Sequence, residues 1–330
     1  MEKPHPISGV VPRPERFVSQ RGRSNPKQVW RIKQAGYSLL ALALLLFPCT
    51  GLTAERVPKV LVIGIDGLRP DALERSDAPN LDALIKKGAY SPMTQILSSH
   101  FAKADTCSGP GWSSILTGVW ADKHGVLDNE FHDSRYETYP SFFRRLKQAR
   151  PSTVSVSIAN WPPINANIVG SADANCITPQ LDSEGVKEAI KHLADDSLTV
   201  MFLYFGDVDT TGHKSGFHPD VAEYRQAIER TDTSIGEVLS AVRNRKTYSH
   251  EDWLTIVCSD HGGRGTDHSY GVDVPEIRNT VLIVSGDRVT PGKITKPAYL
   301  VDVVPTVLAH LEFPVDVHWQ LDGNAIQLNP

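Results

Sequence analysis

Carboxylate and imidazole side chains follow three apolar runs of the sequence. Asp66 comes directly after V-L-V-I-G-I, Asp209 follows V-M-F-L-Y-F-G-D-V, and Asp260 and His261 follow L-T-I-V-C-S. A single aspartate after a strand is most often a helix N-cap or part of an Asx turn. Three such positions, two of them with a histidine close behind, instead favour one shared binding site, because open α/β sheets bind ligands at the carboxyl ends of their strands.

The spacing of these side chains predicts a metal site. Asp209 and His213 are four positions apart in D-T-T-G-H, where the glycine predicts a turn, and His268 follows Asp260 and His261 across a Gly-Gly pair. Mixed aspartate and histidine ligands suit zinc or another first-row divalent ion better than magnesium or calcium, which prefer oxygen ligands alone. We therefore predict a two-zinc site, with the alternative that His213 and His268 are surface loop histidines.

The segment T-C-S-G-P-G-W-S-S-I-L-T-G contains a candidate nucleophile. Ser108 precedes a Gly-Pro that is predicted to begin a helix, with Pro110 near the first helical position. Backbone N–H groups at a helix start favour phosphoryl oxygens or an alkoxide, and metal coordination can activate an otherwise weak serine hydroxyl. The alternative role for Ser108 is helix capping, and Thr106, Ser113 and Ser114 are competing nucleophiles.

Strand-like and helix-like segments alternate from residue 58 onward. Five short runs are apolar and β-branched without polar alternation, as in strands buried on both faces, and the segments between them have helical spacing. This alternation predicts an α/β fold, in which residues 55–330 form a single domain around a mostly parallel sheet with helices on both faces. The predicted strands are 60–65, 153–158, 198–205, 254–258 and 280–284, and the predicted helices are 80–87, 141–149, 184–193, 220–242 and 301–311.

The first 54 residues are predicted to be an export signal. Residues 1–36 form a basic n-region with eight basic and two acidic side chains, a net charge of +6, and residues 37–47 form an uncharged apolar h-region. This apolar region is much shorter than the roughly 20 residues that span a bilayer, and cleavage near Ala54 is expected. We predict a periplasmic or extracellular protein with no membrane span in the mature chain; the alternative is an anchor formed by an uncleaved N-terminal segment.

The remainder of the chain is acidic. The whole chain of 330 residues carries −4, so removal of the +6 segment leaves −4 − 6 = −10. A chain of this charge is not expected to bind nucleic-acid duplexes, and handling of anions would require local cations, such as metal ions. Outside the predicted signal, which includes Cys49, an odd number of cysteines remains, so no disulfide framework is implied: Cys107, Cys176 and Cys258.

Four motifs in this order resemble the alkaline phosphatase superfamily, and within it the nucleotide pyrophosphatase/phosphodiesterase branch. They are I-D-G-L-R-P-D-A-L at 65–73, the segment 108–131, D-V-D-T-T-G-H-K-S-G at 207–216, and S-D-H-G-G at 259–263 with D-H-S-Y-G at 267–271. The resemblance implies an alkaline-phosphatase-like sheet, two zinc ions, a small phosphate-ester substrate and a covalent intermediate on a serine or threonine.

Matched position by position, the resemblance assigns roles to individual residues. The nucleophile corresponds to Ser108, and Asn129 corresponds to the asparagine that donates to a non-bridging phosphate oxygen, beside the backbone N–H of Gly109. The chain departs from the branch in having Ser108 and Gly111 where threonine and asparagine are usual, and in the short spacing between its last two metal-binding motifs. One zinc would be held by Asp209, His213 and His268, and the other by Asp66, Asp260, His261 and the Ser108 oxygen.

The segment I-A-N-W-P-P at 158–163 bears on the type of ester. It contains neither lysine nor arginine, which would neutralise the second charge of a monoester, and it resembles the Trp-Pro-Gly segment of the diesterases. Trp161 is therefore a candidate substrate contact, with ordinary core packing as the alternative. Arg264 is a second candidate contact, with a solvated loop position as its alternative, and His124 is assigned to structure as the end of a helix.

A phosphodiesterase or nucleotide pyrophosphatase is the predicted function. The same metal pair could serve a phosphomonoesterase or a phosphonate hydrolase. A sulfatase is disfavoured, because Cys107 is followed by Ser-Gly-Pro-Gly and the C-x-P-x-R motif is missing. A catalytically silent binding protein is the remote alternative. Such a protein would be expected to have lost one or more of the metal-ligand positions, and this sequence keeps all of them.

Overall fold

The computed structural model describes residues 56–97, 103–326 and 328–329. The predicted export signal and Cys49 lie outside these residues, so the division of the chain at residue 54 stays a prediction. Within the described part of the chain, no helix is both long and apolar enough to cross a bilayer.

Eight strands form one sheet in the order β4-β3-β5-β1-β6-β7-β2-β8. Only β7 runs antiparallel to its neighbours β6 and β2; the other pairs are parallel. The predicted fold class is therefore confirmed. The strands are β1 Val57–Ile65, β2 Ala89–Gln95, β3 Val154–Ile158, β4 Asn175–Ile177, β5 Leu198–Phe205, β6 Glu251–Cys258, β7 Asn279–Ser285 and β8 Gly292–Lys293.

Helices connect most of the strands. The α-helices of the described residues are α1 Pro70–Leu73, α2 Pro79–Lys87, α3 Ser108–Thr117, α4 Ala121–His124, α5 Phe142–Ala149, α6 Asp182–Leu193, α7 Asp207–Ser215, α8 Ala222–Arg243, α9 Pro275–Arg278 and α10 Val303–His310. A π-helix spans Ile164–Val169, and 3-10 turns span Tyr248–His250, Leu300–Asp302 and Val317–Trp319.

The core has two layers, one on each face of the sheet. Alternate residues of β1 point to opposite faces: Val60 and Val62 pack with α3, α5 and α10, whereas Leu61 and Ile63 pack with α2, α6 and α8. Burial on both faces explains why these strands are continuous apolar runs, since a strand with one solvated face would alternate. The two layers hold the carboxyl ends of β5, β1 and β6 side by side.

All five predicted strands are present, although their ends differ by up to three residues. The strand β6 begins at Glu251, earlier than predicted, because the buried Glu251 carboxylate accepts two hydrogen bonds of 2.8 Å from Arg245. The strands β2, β4 and β8 were not predicted. The strands β4 and β8 have only three and two residues. The strand β2 contains polar residues and Pro92, so it lacks the continuous apolar run that predicts a buried strand.

The predicted turn at 209–213 is wrong, because Asp207–Ser215 is a helix. Gly212 lowers the intrinsic helix propensity of this segment. Packing overrides that propensity: a Cβ atom at Gly212 would lie 2.2 Å from the Phe217 ring, so the glycine lets the helix approach the ring. Asp209 and His213 therefore lie one helical turn apart on the same face of α7.

Candidate metal centre

Three neighbouring strands deliver the acidic residues to one edge of the sheet. Asp66 directly follows β1, Asp209 lies in the first turn of α7 after β5, and Asp260 lies two residues after β6. Because β5, β1 and β6 are adjacent and parallel, their carboxyl ends coincide. The structure places all six proposed ligand residues in two groups of three, and the potential ligand atoms of each group lie within 4.8 Å of one another.

The first group consists of Asp209, His213 and His268. The Asp209 carboxylate oxygens lie 3.5 Å from His213 Nε2 and 3.7 Å from His268 Nε2. The His213 side chain is 42% exposed, whereas that of His268 is buried. This group is therefore the open side of the centre.

The second group consists of Asp66, Asp260 and His261, and all three side chains are buried. His261 Nε2 lies 3.3 Å from Asp66 Oδ1 and 3.3 Å from Asp260 Oδ2. The two groups adjoin, because the His261 and His268 rings stack with their centroids 3.8 Å apart. The centre is thus one continuous arrangement with a closed and an open half.

Each carboxylate has a buried oxygen without a hydrogen-bond partner among the described residues: Asp66 Oδ1, Asp209 Oδ1 and Asp260 Oδ2. Such oxygens are costly to bury unless a cation or proton lies against them. Burial, followed by the charge of Asp66, raises the pKa of Asp209 to about 9. Burial and the charges of Asp66 and Asp209 likewise raise the pKa of Asp260. A bound divalent cation would satisfy all three oxygens.

The three histidines present the same nitrogen to the centre. Each Nδ1 lies close to a backbone carbonyl oxygen. Because a carbonyl can only accept a hydrogen bond, Nδ1 carries the hydrogen and Nε2 keeps its lone pair. Metal-binding histidines usually donate a hydrogen bond in this way from the nitrogen that does not bind the metal. Burial lowers the pKa of His261 and of His268, the latter to about 3, so both rings are neutral. The pairs are His213 with Thr266 O at 2.9 Å, His261 with Gly262 O at 2.8 Å and His268 with Thr106 O at 3.1 Å.

In this tautomer, two ring nitrogens lie in close contact with no hydrogen between them. His213 Nε2 and His268 Nε2 are 3.0 Å apart. Neither nitrogen can donate to the other when both Nδ1 atoms hold the hydrogen, so the two lone pairs face each other. The donor set, with imidazole nitrogens and carboxylate oxygens, fits zinc or another first-row divalent ion.

Ser108 lies beside the closed group. Its Oγ is 3.3 Å from His261 Nε2, and it is the first residue of α3 rather than the residue before the helix, so Pro110 occupies the third helical position. Its side chain makes no capping hydrogen bond, because the N-cap is Cys107. The hydroxyl therefore lies where it could join Asp66, Asp260 and His261 around one cation.

The competing hydroxyls are engaged elsewhere. Thr106 Oγ1 donates to the His268 carbonyl and accepts a 2.8 Å hydrogen bond from Gly271 N. The Ser113 hydroxyl lies 2.7 Å from Tyr136 OH, and the Ser114 hydroxyl lies 3.1 Å from His124 Nε2. His124 itself ends α4 and is fully buried, in agreement with its assignment to structure. Among these candidates, Ser108 has its hydroxyl against a ring nitrogen of the closed group.

Asn129 contacts the backbone of the residue that follows Ser108 in α3. Its Oδ1 accepts a 2.7 Å hydrogen bond from Gly109 N, which leaves the Nδ2 hydrogens of this exposed residue free to donate. In the structure that N–H already has the Asn129 side chain as its acceptor, so contact of the Gly109 N–H with phosphate stays a prediction. The contact orients the amide of Asn129.

The structure gives the surroundings of the two weaker candidates, Trp161 and Arg264. Trp161 is partly buried against the core, and its ring lies 6.1 Å from that of Phe131, two residues after Asn129. Arg264 is exposed on the turn 264–267, between His261 and His268 in the sequence. Contact of either side chain with substrate stays a prediction.

Two supporting residues were not singled out from the sequence. Asp182 accepts 3.0 Å hydrogen bonds from Gly206 N and Asp207 N, so a carboxylate from α6 caps the start of α7. Phe217 packs edge-on against His213 and His268, at centroid distances of 5.2 and 6.1 Å. In the sequence, Asp182 is an ordinary acidic residue at a helix start, and nothing near it indicates its partner 24 positions away.

A cavity of about 1040 Å³ lies elsewhere, among α2, α6 and α8. It is lined by residues such as Asn80, Leu193 and Glu237 and includes none of the six ligand residues. The concentration of unpartnered carboxylate oxygens and aligned imidazoles identifies the candidate site better than cavity volume does.

The pKa of Asp209 leads to a prediction for the metal-free protein. Since its folded-state pKa of about 9 exceeds the unfolded value, the folded chain holds an extra proton between about pH 4 and 9, and stability falls as pH rises across this window. We expect Asp209→Asn to remove this loss. In urea unfolding of the metal-free proteins, the free energy of unfolding of the Asp209→Asn variant, relative to that of the unsubstituted protein, should rise by about 1 kcal/mol or more between pH 5 and 8.

Asp267→Asn is a matched control for this measurement. Hydrogen bonds from Ser269 and His268 lower the pKa of Asp267, so it is ionised in both states throughout the window. Its effect on stability should therefore be the same at pH 5 and pH 8. An Asp209→Asn effect that is equally independent of pH would show that Asp209 ionises normally in the metal-free chain.

Comparison with known families gives one match over most of the chain. Residues 60–280 match the type I phosphodiesterase/nucleotide pyrophosphatase family. This range, 221 of 330 residues, contains all six ligand residues, Ser108 and Asn129.

Individual relatives carry the same family name. The chain is 26% identical to human ectonucleotide pyrophosphatase/phosphodiesterase family member 7 over 263 residues, which is 70% of this chain and 54% of the relative. It is 22% identical to a bis(5'-adenosyl)-triphosphatase of Xenopus laevis over 264 residues, or 74% of this chain and 53% of the relative. The chain thus spans about half the length of the curated relatives it matches.

Solved structures share the fold. An inactive variant of murine ectonucleotide pyrophosphatase/phosphodiesterase 5 in complex with AMP gives a TM-score of 0.62 at 15% identity, covering 78% of this chain and 96% of that one. A 2-O GAG sulfatase gives a TM-score of 0.60 at 12% identity, covering 81% and 73%. Because enzymes of two reaction types share this fold, the reaction must be argued from the site.

Proposed function

Since the chain belongs to the type I phosphodiesterase/nucleotide pyrophosphatase family, we propose that it is a metal-dependent hydrolase of small phosphate diesters with Ser108 as nucleophile. One observation carries the proposal: two groups of Asp and His ligands, each with unpartnered buried carboxylate oxygens, adjoin a serine hydroxyl at a helix start. A structural role for these carboxylates would instead provide protein hydrogen bonds to every buried oxygen.

The proposed cofactor is a pair of zinc ions or other first-row divalent ions. Asp209, His213 and His268 would hold one ion, and Asp66, Asp260 and His261, with Ser108 Oγ, would hold the other. When bound, these ions would supply positive charge that lowers the pKa of a serine hydroxyl and offsets negative charge developing on phosphate oxygens.

The chain's own residues perform the bond changes in this mechanism. Ser108 loses its proton, and Oγ bonds to phosphorus while the opposite bond to the leaving oxygen breaks; the departing alkoxide takes up a proton through solvent in place of the one that Ser108 releases and leaves as an alcohol. Asn129 donates from Nδ2 to a non-bridging oxygen, with its orientation held by Gly109 N. Water then cleaves the bond between Ser108 and phosphorus, which releases a phosphate monoester and restores the hydroxyl.

Charge favours a diester over a monoester. Two divalent ions against three carboxylates leave one net positive charge, and none once Ser108 has lost its proton, which suits the single negative charge of a diester better than the two charges of a monoester. Arg69, the buried arginine closest in sequence to Asp66, cannot supply a further charge, because it is committed to Asp71 and to the carbonyls of Phe217 and Gly263. The names of the bis(5'-adenosyl)-triphosphatase relative and of the AMP complex support nucleotide-like esters as the substrate class.

The test compares hydrolysis of a bis-aryl phosphate diester with that of the corresponding aryl monoester, each with and without a chelator. We expect the diester to react faster and both reactions to stop when metal is removed. A monoester preference of a hundredfold or more would instead assign the chain to phosphomonoester chemistry. Hydrolysis of an aryl sulfate alone would contradict phosphate ester specificity.

A further inference from the structure

The two oxygens of the Asp66 carboxylate have different surroundings. Asp66 Oδ2 accepts hydrogen bonds from Tyr204 OH at 2.7 Å and from Trp112 Nε1 at 3.0 Å. Asp66 Oδ1 has no hydrogen-bond partner and lies 3.3 Å from His261 Nε2. The carboxylate is therefore held with one oxygen turned away from the centre and the other turned toward it.

Tyr204 reaches Asp66 from the neighbouring strand. It lies on β5 and pairs in register with Gly64 of β1, two residues before Asp66. Its side chain is buried. A neutral phenol here can donate one hydrogen bond, and the described contacts direct it to Asp66 Oδ2.

Trp112 reaches the same oxygen from the nucleophile helix. It is four residues after Ser108 on α3, so the two side chains lie on the same face of the helix. The indole is fully buried, lies edge-on to Tyr204 at a centroid distance of 5.3 Å, and passes directly over Gly64, where a Cβ atom would lie 2.4 Å from the ring. This fit sets the position of α3, and with it Ser108, relative to Asp66.

We propose that Tyr204 and Trp112 are positioning residues of the closed ligand group: together they make Asp66 a one-oxygen ligand, and Trp112 also sets the distance from Ser108 to the bound cation. The inference rests on the proposed function, since it requires a cation at Asp66 Oδ1. Both donors are directed to Asp66 Oδ2, the oxygen turned away from the centre. They act through the orientation of the carboxylate, as hydrogen-bond partners of metal ligands do in other proteins.

The experiment measures zinc affinity of the full chain by competition with a chromophoric chelator. To observe the closed group alone, Tyr204→Phe is combined with His213→Ala, which disables the open group. We expect Tyr204→Phe to weaken the remaining zinc site about 10- to 100-fold. Combined with Asp260→Asn, which disables the closed group, the same substitution should leave zinc affinity unchanged.

Trp112→Phe tests the second donor with an aromatic ring retained. It should weaken zinc binding at the closed group by a similar factor and lower kcat more than it raises KM, because Ser108 shifts with the helix. Two controls match the chemistry. Tyr90→Phe removes a phenol hydroxyl that has no described hydrogen-bond partner, and Trp253→Phe removes an indole that donates to Glu251, far from the centre.

The outcomes separate the inference from the function it rests on. Two zinc ions and diester hydrolysis in the unsubstituted protein, with unchanged zinc affinity in Tyr204→Phe and Trp112→Phe, would overturn the positioning role alone. Absence of zinc and of any other first-row divalent ion from the unsubstituted protein, with no metal-dependent hydrolysis, would overturn the proposed function as well. A purely structural role would lower the free energy of unfolding in all backgrounds without a selective change at the closed group.

Discussion

Ser108→Ala is expected to lower kcat for diester hydrolysis by about 10⁴- to 10⁶-fold, the range found when a nucleophilic serine is removed. The substitution deletes only Oγ, which lies beside His261 Nε2. The six Asp and His ligands remain, so the variant should still bind two zinc ions. Steady-state kinetics together with metal analysis of the purified protein measures both results.

A neighbouring serine on the same helix provides the control. Ser114→Ala removes a hydroxyl that contacts His124 rather than the carboxylates. This variant should lose some stability, about 1 kcal/mol for a buried hydrogen bond, and keep its turnover within about threefold, as expected for a residue outside the reacting site. Near-normal activity in Ser108→Ala would reject this serine as the nucleophile, whatever the metal content.

Removal of the metal is expected to have the second largest effect. Dialysis against a chelator should lower diester hydrolysis by about 10³-fold or more, because even one contact to developing charge contributes about 10²- to 10³-fold. Activity should return on addition of zinc. His213→Ala should retain one zinc ion in place of two, since it removes one of the three ligands of the open group.

His218→Ala is the matched control for the histidine substitution. His218 is also exposed, but it contacts Asp220 at 3.6 Å and belongs to neither ligand group. The variant should bind two zinc ions and keep its activity. Hydrolysis that survives complete metal removal would contradict a metal-dependent reaction and leave the buried carboxylates without a function.

The sequence indicates the six proposed ligand residues as candidates, because most of them stand where apolar runs end. Asp66 and Asp260 follow such runs closely, and Asp209 and His213 are four positions apart after a third. The type of element at 209–213 could not be predicted. Gly212 indicates a turn until the Phe217 ring that packs against it is known.

The choice among hydroxyl groups required the structure. Thr106, Ser108, Ser113 and Ser114 are equivalent by residue type and closely spaced. They differ in their hydrogen-bond partners, such as the His268 carbonyl for Thr106 Oγ1, 162 positions away. The hydrogen bond from Gly109 N to the Asn129 side chain, 20 positions away, likewise could not be predicted from the sequence.

By itself, the sequence determined the central strands of the sheet, their carboxyl ends and the chemical types of the proposed ligands, because burial on both faces produces apolar runs that polar residues interrupt at the strand ends. Only the tertiary structure decided which carboxylate oxygens lack a partner, which hydroxyl lies against His261 Nε2 and how Tyr204 holds Asp66 from 138 positions away. The physical reason is that a hydrogen bond depends on the direction and distance of two specific atoms, and residues distant in the chain supply those atoms.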